Sequence, residues 1–250
     1  MTWDNPMTKP AFLSAWEATN RAAGNRFLGA LEDDSLALLQ LDLRQLTLPQ
    51  GAVCYGAGDP IDQVYFPLTG MIALVIVADG EMVEISSVGR EGAVGLQSAF
   101  GPRLSFTRAT VQLPGKFWAI SALRFEHASS RSVALRDMVI RYIEIMWAQA
   151  QQNAACNAVH DSSSRLCRWL LQCVDRTGSD QLLLTQDCLA AMLGVRRTTV
   201  TLLAQQLQNR GIVRYSRGRI TILDRSALQA NACACYDAIS DKDHSSKIDN

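Results

Sequence analysis

The 250-residue sequence predicts an α+β protein with a β-rich N-terminal part, one long helix, and a C-terminal part of short helices and a hairpin. Two changes of texture along the chain carry this prediction. Between Arg44 and Leu123, short apolar runs alternate with Gly, Pro and Asp. Turn signals recur about every 8–12 residues there, which is typical of an antiparallel sandwich or small barrel. From residue 132 to 158 there is no Gly or Pro, and apolar residues return at spacings of three and four.

The elements before the long helix follow from local signals. Residues 1–24 are polar and are predicted to form a leader. Residues 26–42 carry a rough helical stripe of leucines, with Asp33 near the start of a second short helix. Asp79-Gly80 predicts a hairpin between strands over 71–77 and 82–87, because Asp-Gly suits a tight turn. Residues 111–120 are predicted as one final strand.

The long helix over 132–158 presents an apolar stripe along one side. This stripe fits either the protein's own core or a dimer seam, and the seam is favoured because a long lone helix needs a partner to cover its stripe. The stripe residues are Leu135, Met138, Tyr142, Ile145 and Gln149. The polar run after His160 predicts a hinge, where Asp161 or a following Ser caps a helix over about 163–175 that stops near Gly178.

Residues 184–223 predict two helices joined by a tight bend, followed by a hairpin. Thr185 is placed to cap the first helix, and Gly194 breaks it. The second helix runs from about Arg196 to Asn209, and two β-branched runs follow around Arg217 and Arg219. This is the layout of a helix-turn-helix with a hairpin wing.

The charge distribution indicates nucleic acid as the ligand of this C-terminal part. The chain has a formal net charge of zero, but residues 1–160 hold 15 acids and 12 bases, whereas residues 161–250 hold 9 acids and 12 bases. Six arginines and no acid lie between Cys188 and Leu223. A local block of this kind is an electrostatic footprint for DNA.

Each predicted contact residue has a chemical role. An Arg at the N-terminal end of a recognition helix can pair bidentately with guanine, whereas arginines of a wing reach phosphates and give affinity without direct sequence reading. Hydroxyl and amide side chains on the same helix serve bases or phosphates. The predicted set is Thr185, Arg196, Arg197, Thr198, Thr199, Thr201, Gln205, Arg217 and Arg219.

Cysteine and histidine usage argues against a metal or catalytic centre. The seven cysteines are an odd number, which disfavours a fully paired disulfide framework. Cys233-x-Cys235 is the single tight pair, with no second pair or nearby His in sequence to complete a four-ligand site. We therefore predict structural thiols, no metal, no cofactor and no enzyme activity. A signal peptide and a membrane-spanning run are also lacking, so a cytoplasmic protein is expected.

Over residues 25–225 the sequence resembles the Crp/Fnr family of bacterial transcription regulators, most closely at 161–170 and 184–213. The resemblance implies an N-terminal β-roll (jelly roll) of the cyclic-nucleotide-binding type, a dimerisation helix and a C-terminal winged helix-turn-helix. The implied domains are a leader (1–24), a sensor (25–130), the dimerisation helix (131–160), the DNA-binding domain (161–230) and a tail (231–250). Double-stranded DNA, a second copy of the chain, RNA polymerase and a small-molecule effector are the partners it implies.

The sensor part departs from the cyclic-AMP-binding members of that family. Residues 88–95 resemble the entry to the phosphate-binding cassette, yet Leu96 stands where those members have a Glu that holds the ribose. Ser105-Phe106 stands where they have an Arg-Ser or Arg-Thr pair for the phosphate. The resemblance therefore implies an effector other than cyclic AMP or cyclic GMP. The candidate effector residues are Arg90, Glu91, Gly92, Gly95, Leu96, Arg103 and Arg108.

Within the recognition helix, Arg197 matches the family's guanine-reading Arg. Thr198 replaces the Glu that usually follows, and Leu202 replaces a second base-reading Arg, so the DNA site should differ from that of the founding member. The leading hypothesis is a homodimeric regulator that reads a palindromic site. The alternative is a ligand-sensing β-roll that acts through protein partners without specific DNA binding, which leaves the arginine block unexplained.

Overall fold

The computed structural model describes residues 24–78, 80–101 and 103–239, so the predicted leader and the end of the predicted tail lie outside the described residues. The first part contains α1 (Arg26–Gly29), α2 (Asp33–Gln40), β1 (Arg44–Leu48), β2 (Val53–Tyr55), β3 (Gln63–Pro67), β4 (Met71–Ala78), β5 (Glu81–Val88), a 3-10 turn (Leu96–Ala99), β6 (Arg108–Leu113), β7 (Gly115–Ser121) and α3 (Ala122–Arg131). The second contains α4 (Val133–Val159), α5 (Ser162–Thr177), β8 (Gln181–Leu183), α6 (Gln186–Leu193), α7 (Arg197–Asn209), β9 (Val213–Ser216), β10 (Arg219–Ile222) and α8 (Arg225–Ala230).

Two antiparallel sheets form the N-terminal β-roll, and the predicted fold class is confirmed. One sheet has the strand order β1-β7-β3 and the other β2-β6-β4-β5. Phe66, Phe117 and Phe125 are fully buried within the core that this roll shares with α1 to α4. The alternation of apolar runs and turns that the sequence showed is therefore the signature of two sheets closed over one core.

The predicted hairpin over 71–87 forms as β4 and β5, paired from Ile72–Val88 to the turn. The single strand predicted over 111–120 is wrong, because this segment is the hairpin β6–β7. Pro114 lies between the two strands, where it cannot donate to a ladder. Gly115 then approaches the backbone of Gly70 so closely that a side chain would not fit.

The long helix α4 spans 27 residues, close to the predicted bounds. The stripe that was predicted to face a second copy is covered largely by the chain itself. Leu135, Tyr142 and Gln149 are buried against the rest of the same chain, and Met138 and Ile145 are partly buried. Four large apolar residues of this helix are exposed. Val133, Ile140 and Trp147 recur at a spacing of seven, and Val159 is the last residue of the helix.

The C-terminal domain has its own core, and the predicted hinge and caps form as expected. Asp161 caps α5 by accepting from the amides of Ser163 and Ser164 at 2.8 and 3.0 Å, and Gly178 ends that helix in the left-handed conformation. Met71 and Leu113 of the β-roll pack into the same core as α5. The two domains are thus packed against each other.

Three C-terminal elements were not predicted. The three-residue strand β8 pairs with β10 in the sheet β8-β10-β9, and α8 follows it in the chain. Residues of the predicted tail up to 239 are also folded onto the domain, with Tyr236 and Ile239 buried. Elements this short carry too few apolar repeats to show a period in the sequence.

Candidate DNA-binding surface

The helix pair α6–α7 is built by the caps that the sequence indicated. The Thr185 hydroxyl accepts from the Cys188 amide at 3.2 Å at the start of α6. Gly194 ends α6 with φ 64°, in the left-handed region that a side chain disfavours. Arg196 is the N-cap of α7 and makes no side-chain capping bond, so its guanidinium is left for another contact.

One face of α7 is apolar and the other is polar. Val200, Leu203 and Leu207 are buried against the domain core. By helical spacing, Arg197, Thr198, Thr201 and Gln205 share the opposite face. Arg197, Thr198 and Gln205 are exposed on it, and Thr201 donates back to the Arg197 carbonyl at 3.1 Å. Thr199 is half-buried and lies off this stripe.

The side chain of Arg197 is held across the bend between the two helices. Its Nε donates to Gln186 Oε1 at 3.2 Å, and its Nη1 lies 3.3 Å from Asp187 Oδ1. Asp187 immediately precedes the acid-free arginine block in sequence. An acidic side chain therefore lies beside an arginine of the block, although the block itself contains none. Partial burial raises the pKa of the nearby Tyr215 phenol, and Arg197 acts in the opposite sense.

The wing is a two-residue hairpin between β9 and β10. Arg217 and Gly218 form its tip with φ 50° and 73°, the conformation of a type I′ turn. Leu184 donates its amide to the Gly218 carbonyl at 2.8 Å, which places the tip beside Thr185. Arg217 and Arg219 are exposed, and Arg219 Nη1 donates to Gln181 Oε1 at 3.2 Å. The wing arginines and the start of α6 are therefore neighbours.

Three of the predicted effector side chains are engaged with helices of the same chain. Arg90 Nε donates to the Asp175 carbonyl at 3.1 Å, and Glu91 pairs with Arg176, so both side chains point to α5. Arg103 pairs with Glu126 of α3 at 3.2 Å. Gly95 has φ 95° and leads into Leu96, which is buried, while Arg108 begins β6.

Backbone amides of the cassette-like segment are largely engaged within the protein. The amides of Gly89 and Arg90 donate to Glu91 Oε1 and the Arg176 carbonyl, at 2.9 and 3.2 Å. Those of Gly92 and Val94 donate to backbone carbonyls. Clustered free N–H groups are what a phosphate would need here. Gly92 also lies so close to the Tyr142 phenol that a side chain would overlap it.

The prediction that no His lies near the tight Cys pair is wrong in three dimensions, although it is right in sequence. Cys156 and His160 from the end of α4 lie beside Cys233 and Cys235, although more than 70 residues separate the two pairs. The spacing of four between Cys156 and His160 was the missed signal, because it puts both side chains on one side of a helix end.

Comparison with known proteins agrees with the fold and with both domains. Residues 45–132 match the cyclic nucleotide-binding domain family, and residues 164–231 match the Crp-like helix-turn-helix domain family. Among curated relatives, a CRP-like cAMP-activated global transcriptional regulator of Mycobacterium tuberculosis is 24% identical over 81% of this chain and 94% of its own. A global nitrogen regulator of a Nostoc species is 25% identical over 70% and 83%.

Solved structures show the same fold. FixK2 from Bradyrhizobium japonicum superposes with a TM-score of 0.65 at 18% identity, covering 77% of this chain and 98% of that one. The described part of the chain contains no helix long and apolar enough to cross a lipid bilayer. With its two domain families in this order, the chain belongs to the Crp/Fnr family of transcription regulators. It is a DNA-binding regulator, and its relatives are regulators rather than enzymes.

Proposed function

We propose that this regulator binds DNA as a homodimer, placing α7 of each copy in the major groove of a two-fold symmetric site. The observation that carries the proposal is the exposed polar face of α7, with Arg197 at its N-terminal end and the arginine wing beside the start of α6. Recognition helices of this class contact base edges with their N-terminal residues, and dimers bind half-sites about one helical turn apart. We place this action in the cytoplasm, with RNA polymerase as the further macromolecular partner.

Dimerisation is assigned to the outer face of α4. Val133, Ile140 and Trp147 are exposed by 64%, 43% and 68% on this helix, and their spacing of seven is that of one coiled-coil position. The stripe predicted from sequence cannot serve in full, because Leu135 and Tyr142 are already covered by the chain's own core. A second copy of α4 would cover the outer stripe.

The effector of the sensor domain is proposed to be something other than a cyclic nucleotide. Leu96 is buried and apolar where a ribose-binding carboxylate would be required. The carboxylate of Glu91 and the guanidinium of Arg90 are committed to α5. An anionic phosphate in this segment would lack both a positioned Arg and a cluster of free amides.

The DNA-reading role is tested with two arginine variants of the same charge change. Arg197→Ala removes the side chain at the reading end of α7, and Arg210→Ala removes an exposed one at the other end. Binding is measured to a site selected from random DNA and to the same site changed one base pair at a time. Arg197→Ala should weaken cognate binding by about 1–3 kcal/mol and relax discrimination at one position, whereas Arg210→Ala should keep the wild-type preference. Unchanged affinity and discrimination in Arg197→Ala would refute the assignment.

A further inference from the structure

Three thiols and one imidazole meet where the long helix ends. Cys156 and His160 lie on the last turn of α4 and at its C-cap, and Cys233 and Cys235 follow α8. The four ligand atoms all lie within 4.8 Å of one another. Cys156 Sγ is 3.5 Å from Cys233 Sγ, and Cys235 Sγ is 3.6 Å from His160 Nδ1.

These distances match the span of a single tetrahedral ion. With zinc–sulfur bonds of about 2.3 Å, tetrahedral geometry sets neighbouring thiolate sulfurs about 3.8 Å apart. The observed sulfur–sulfur distance of 3.5 Å is close to that value. An iron–sulfur cluster is held by the same ligand types but has several metal atoms between them, so its ligands must stand farther apart. The geometry therefore favours one ion over a cluster.

The burial of the thiols does not follow from ordinary core packing. Cys167 and Cys173 show the ordinary case, because they pack into the apolar core of the C-terminal domain. Cys156, Cys233 and Cys235 are exposed by 6% or less, yet they form a cluster of their own with no other buried apolar residue among those described. Small apolar groups gain from burial with other apolar groups, and that gain is small for three thiols alone.

The surroundings suit a negatively charged metal–thiolate group. Three thiolates, one neutral imidazole and a divalent ion carry a net charge of −1. Gln152 Nε2 donates to Cys235 Sγ at 3.1 Å, the kind of outer contact that orients a metal ligand. Arg165 and Arg168 are both nearly buried on α5 and interact electrostatically with Cys156. Their charges would offset that of the bound group.

We propose that Cys156, His160, Cys233 and Cys235 bind one zinc ion, with the thiol protons released to solvent. A set of three thiolates and one imidazole in tetrahedral geometry is typical of structural zinc sites. Two ligands precede the hinge at Asp161 and two follow the winged helix-turn-helix. The ion therefore ties the C-terminal end of the DNA-binding domain to the end of α4, next to the Cys233 amide that donates to the Ser164 carbonyl at 3.4 Å.

The link that the ion makes between α4 and the DNA-binding domain should affect DNA binding. This expectation rests on the proposed function. The hinge would be bridged twice, once by the chain and once by the ion, so the orientation of α7 relative to the dimerisation helix is restricted. Orienting the domain in advance reduces the ordering cost of binding DNA. Removal of the ion should therefore weaken DNA binding without changing which bases are preferred.

Metal binding is tested on the reduced, full-length wild-type protein. Metal analysis should find about one zinc per chain. Cobalt(II) titrated into the metal-free protein should give the absorption of a tetrahedral cobalt–thiolate site, which zinc then displaces. Cys233→Ser should lower zinc affinity at least about 100-fold in a chelator competition. The control Cys54→Ser changes a half-buried thiol on β2, which packs against the core of the β-roll, and should leave the zinc affinity unchanged.

Because the cobalt titration uses the wild-type chain, it tests metal binding at this site even if Cys233→Ser fails to fold. Absence of the cobalt–thiolate spectrum, iron with labile sulfide in place of zinc, or a Cys156–Cys233 disulfide as the resting state would each overturn the site. DNA binding is then compared before and after metal removal. Equal binding in both states overturns the tie across the hinge. A protein that holds zinc but binds no DNA in either state contradicts the proposed function instead.

Discussion

Glu91 Oε1 lies 3.0 Å from Arg176 Nε, in an ion pair that joins the β-roll to the first helix of the DNA-binding domain. Both side chains are about 95% buried. Arg176 also donates to Ser87 Oγ at 2.7 Å and to Gln149 Oε1 at 3.4 Å. The sensor sheet, the long helix and the DNA-binding domain therefore meet at one guanidinium.

Glu91→Ala should destabilise the protein by about 3–5 kcal/mol, because it removes the carboxylate that pairs with the buried guanidinium of Arg176. Denaturant unfolding of the purified protein measures this. The matched control is Glu126→Ala, which breaks the half-exposed pair with Arg103 and should cost less than about 1 kcal/mol. Equal losses in the two variants would show that the buried pair has no special role.

Glu84→Gln should stabilise the protein at neutral pH. Desolvation raises the pKa of Glu84 above its usual 4.5, against the opposing hydrogen bonds from Gln112 and Trp169 and the charge of Arg176. Because the folded pKa is the higher one, wild-type stability falls as pH rises above about 4.5, and the variant lacks this loss. The glutamine oxygen can still accept from Trp169 Nε1.

The measurement for Glu84→Gln is the free energy of unfolding of both proteins between pH 4.5 and 8. The advantage of the variant should be greatest at pH 7–8 and should shrink toward pH 4.5. Cys173 and Cys188 also lie near Glu84, and burial raises the pKa of both thiols, to about 12 for Cys188. These thiols do not titrate in the tested range. A constant difference across the range would contradict the prediction.

Gly92→Ala should destabilise the protein by about 1–3 kcal/mol through overpacking. The added methyl group would overlap the phenol of Tyr142, whose ring is fixed edge-on against Phe27 with centroids 5.8 Å apart. Thermal or denaturant unfolding reports the loss. Gly29→Ala is the control, since nothing lies within 4 Å of the added carbon, and it should change stability by less than about 1 kcal/mol. If the Gly92→Ala protein is as stable as Gly29→Ala, then α4 shifts at little cost to accommodate the added methyl group.

Trp147→Glu should shift the protein from dimer to monomer, because it places a charge on the outer stripe of α4 that is proposed as the dimer seam. Sedimentation or light scattering at several concentrations gives the mass. Leu41→Glu makes the same kind of change at a residue that is 80% exposed and far from α4 in sequence, and it should leave the mass unchanged. A Trp147→Glu protein that stays dimeric would exclude this stripe as the interface.

Arg219→Ala should weaken binding to all DNA sequences alike, since the wing is assigned to phosphates. The slope of log affinity against log salt should fall by about 0.9 for one lost phosphate contact. Arg124→Ala removes the same charge from an exposed site in the sensor domain and should leave the slope unaltered. A change in base preference rather than in slope would move Arg219 into the group of base-reading residues.

The parts of the fold that were predictable are those with local causes. The Asp161 and Thr185 caps, the left-handed glycines after α5 and α6, and the Asp-Gly hairpin each follow from a few neighbouring residues. The two domain types were then recognisable from the order of these elements. Caps and turns satisfy backbone groups within three or four residues, so one sequence is enough to find them.

The parts that failed depend on contacts between distant residues. Periodicity showed that Leu135 and Tyr142 share a face of α4, but the chain's own β-roll covers that face and leaves Trp147 outside. Likewise, nothing near Cys156 in sequence reveals that Cys233 will lie 3.5 Å away. Helical spacing identifies which residues share a face, and only the tertiary structure determines what that face meets.

In the proposed complex, Arg197 would meet DNA with its guanidinium already paired, because Asp187 lies 3.3 Å away and Gln186 accepts from its Nε. A guanine that recruits this guanidinium must displace an internal carboxylate that competes for the same donors. The choice of DNA sequence would then depend on whether guanine binds the guanidinium better than Asp187 does, rather than better than water does. Because Asp187 belongs to the same chain, its local concentration is fixed. Under the role proposed for Arg197, DNA that pairs with the guanidinium less well than Asp187 does would not displace this carboxylate.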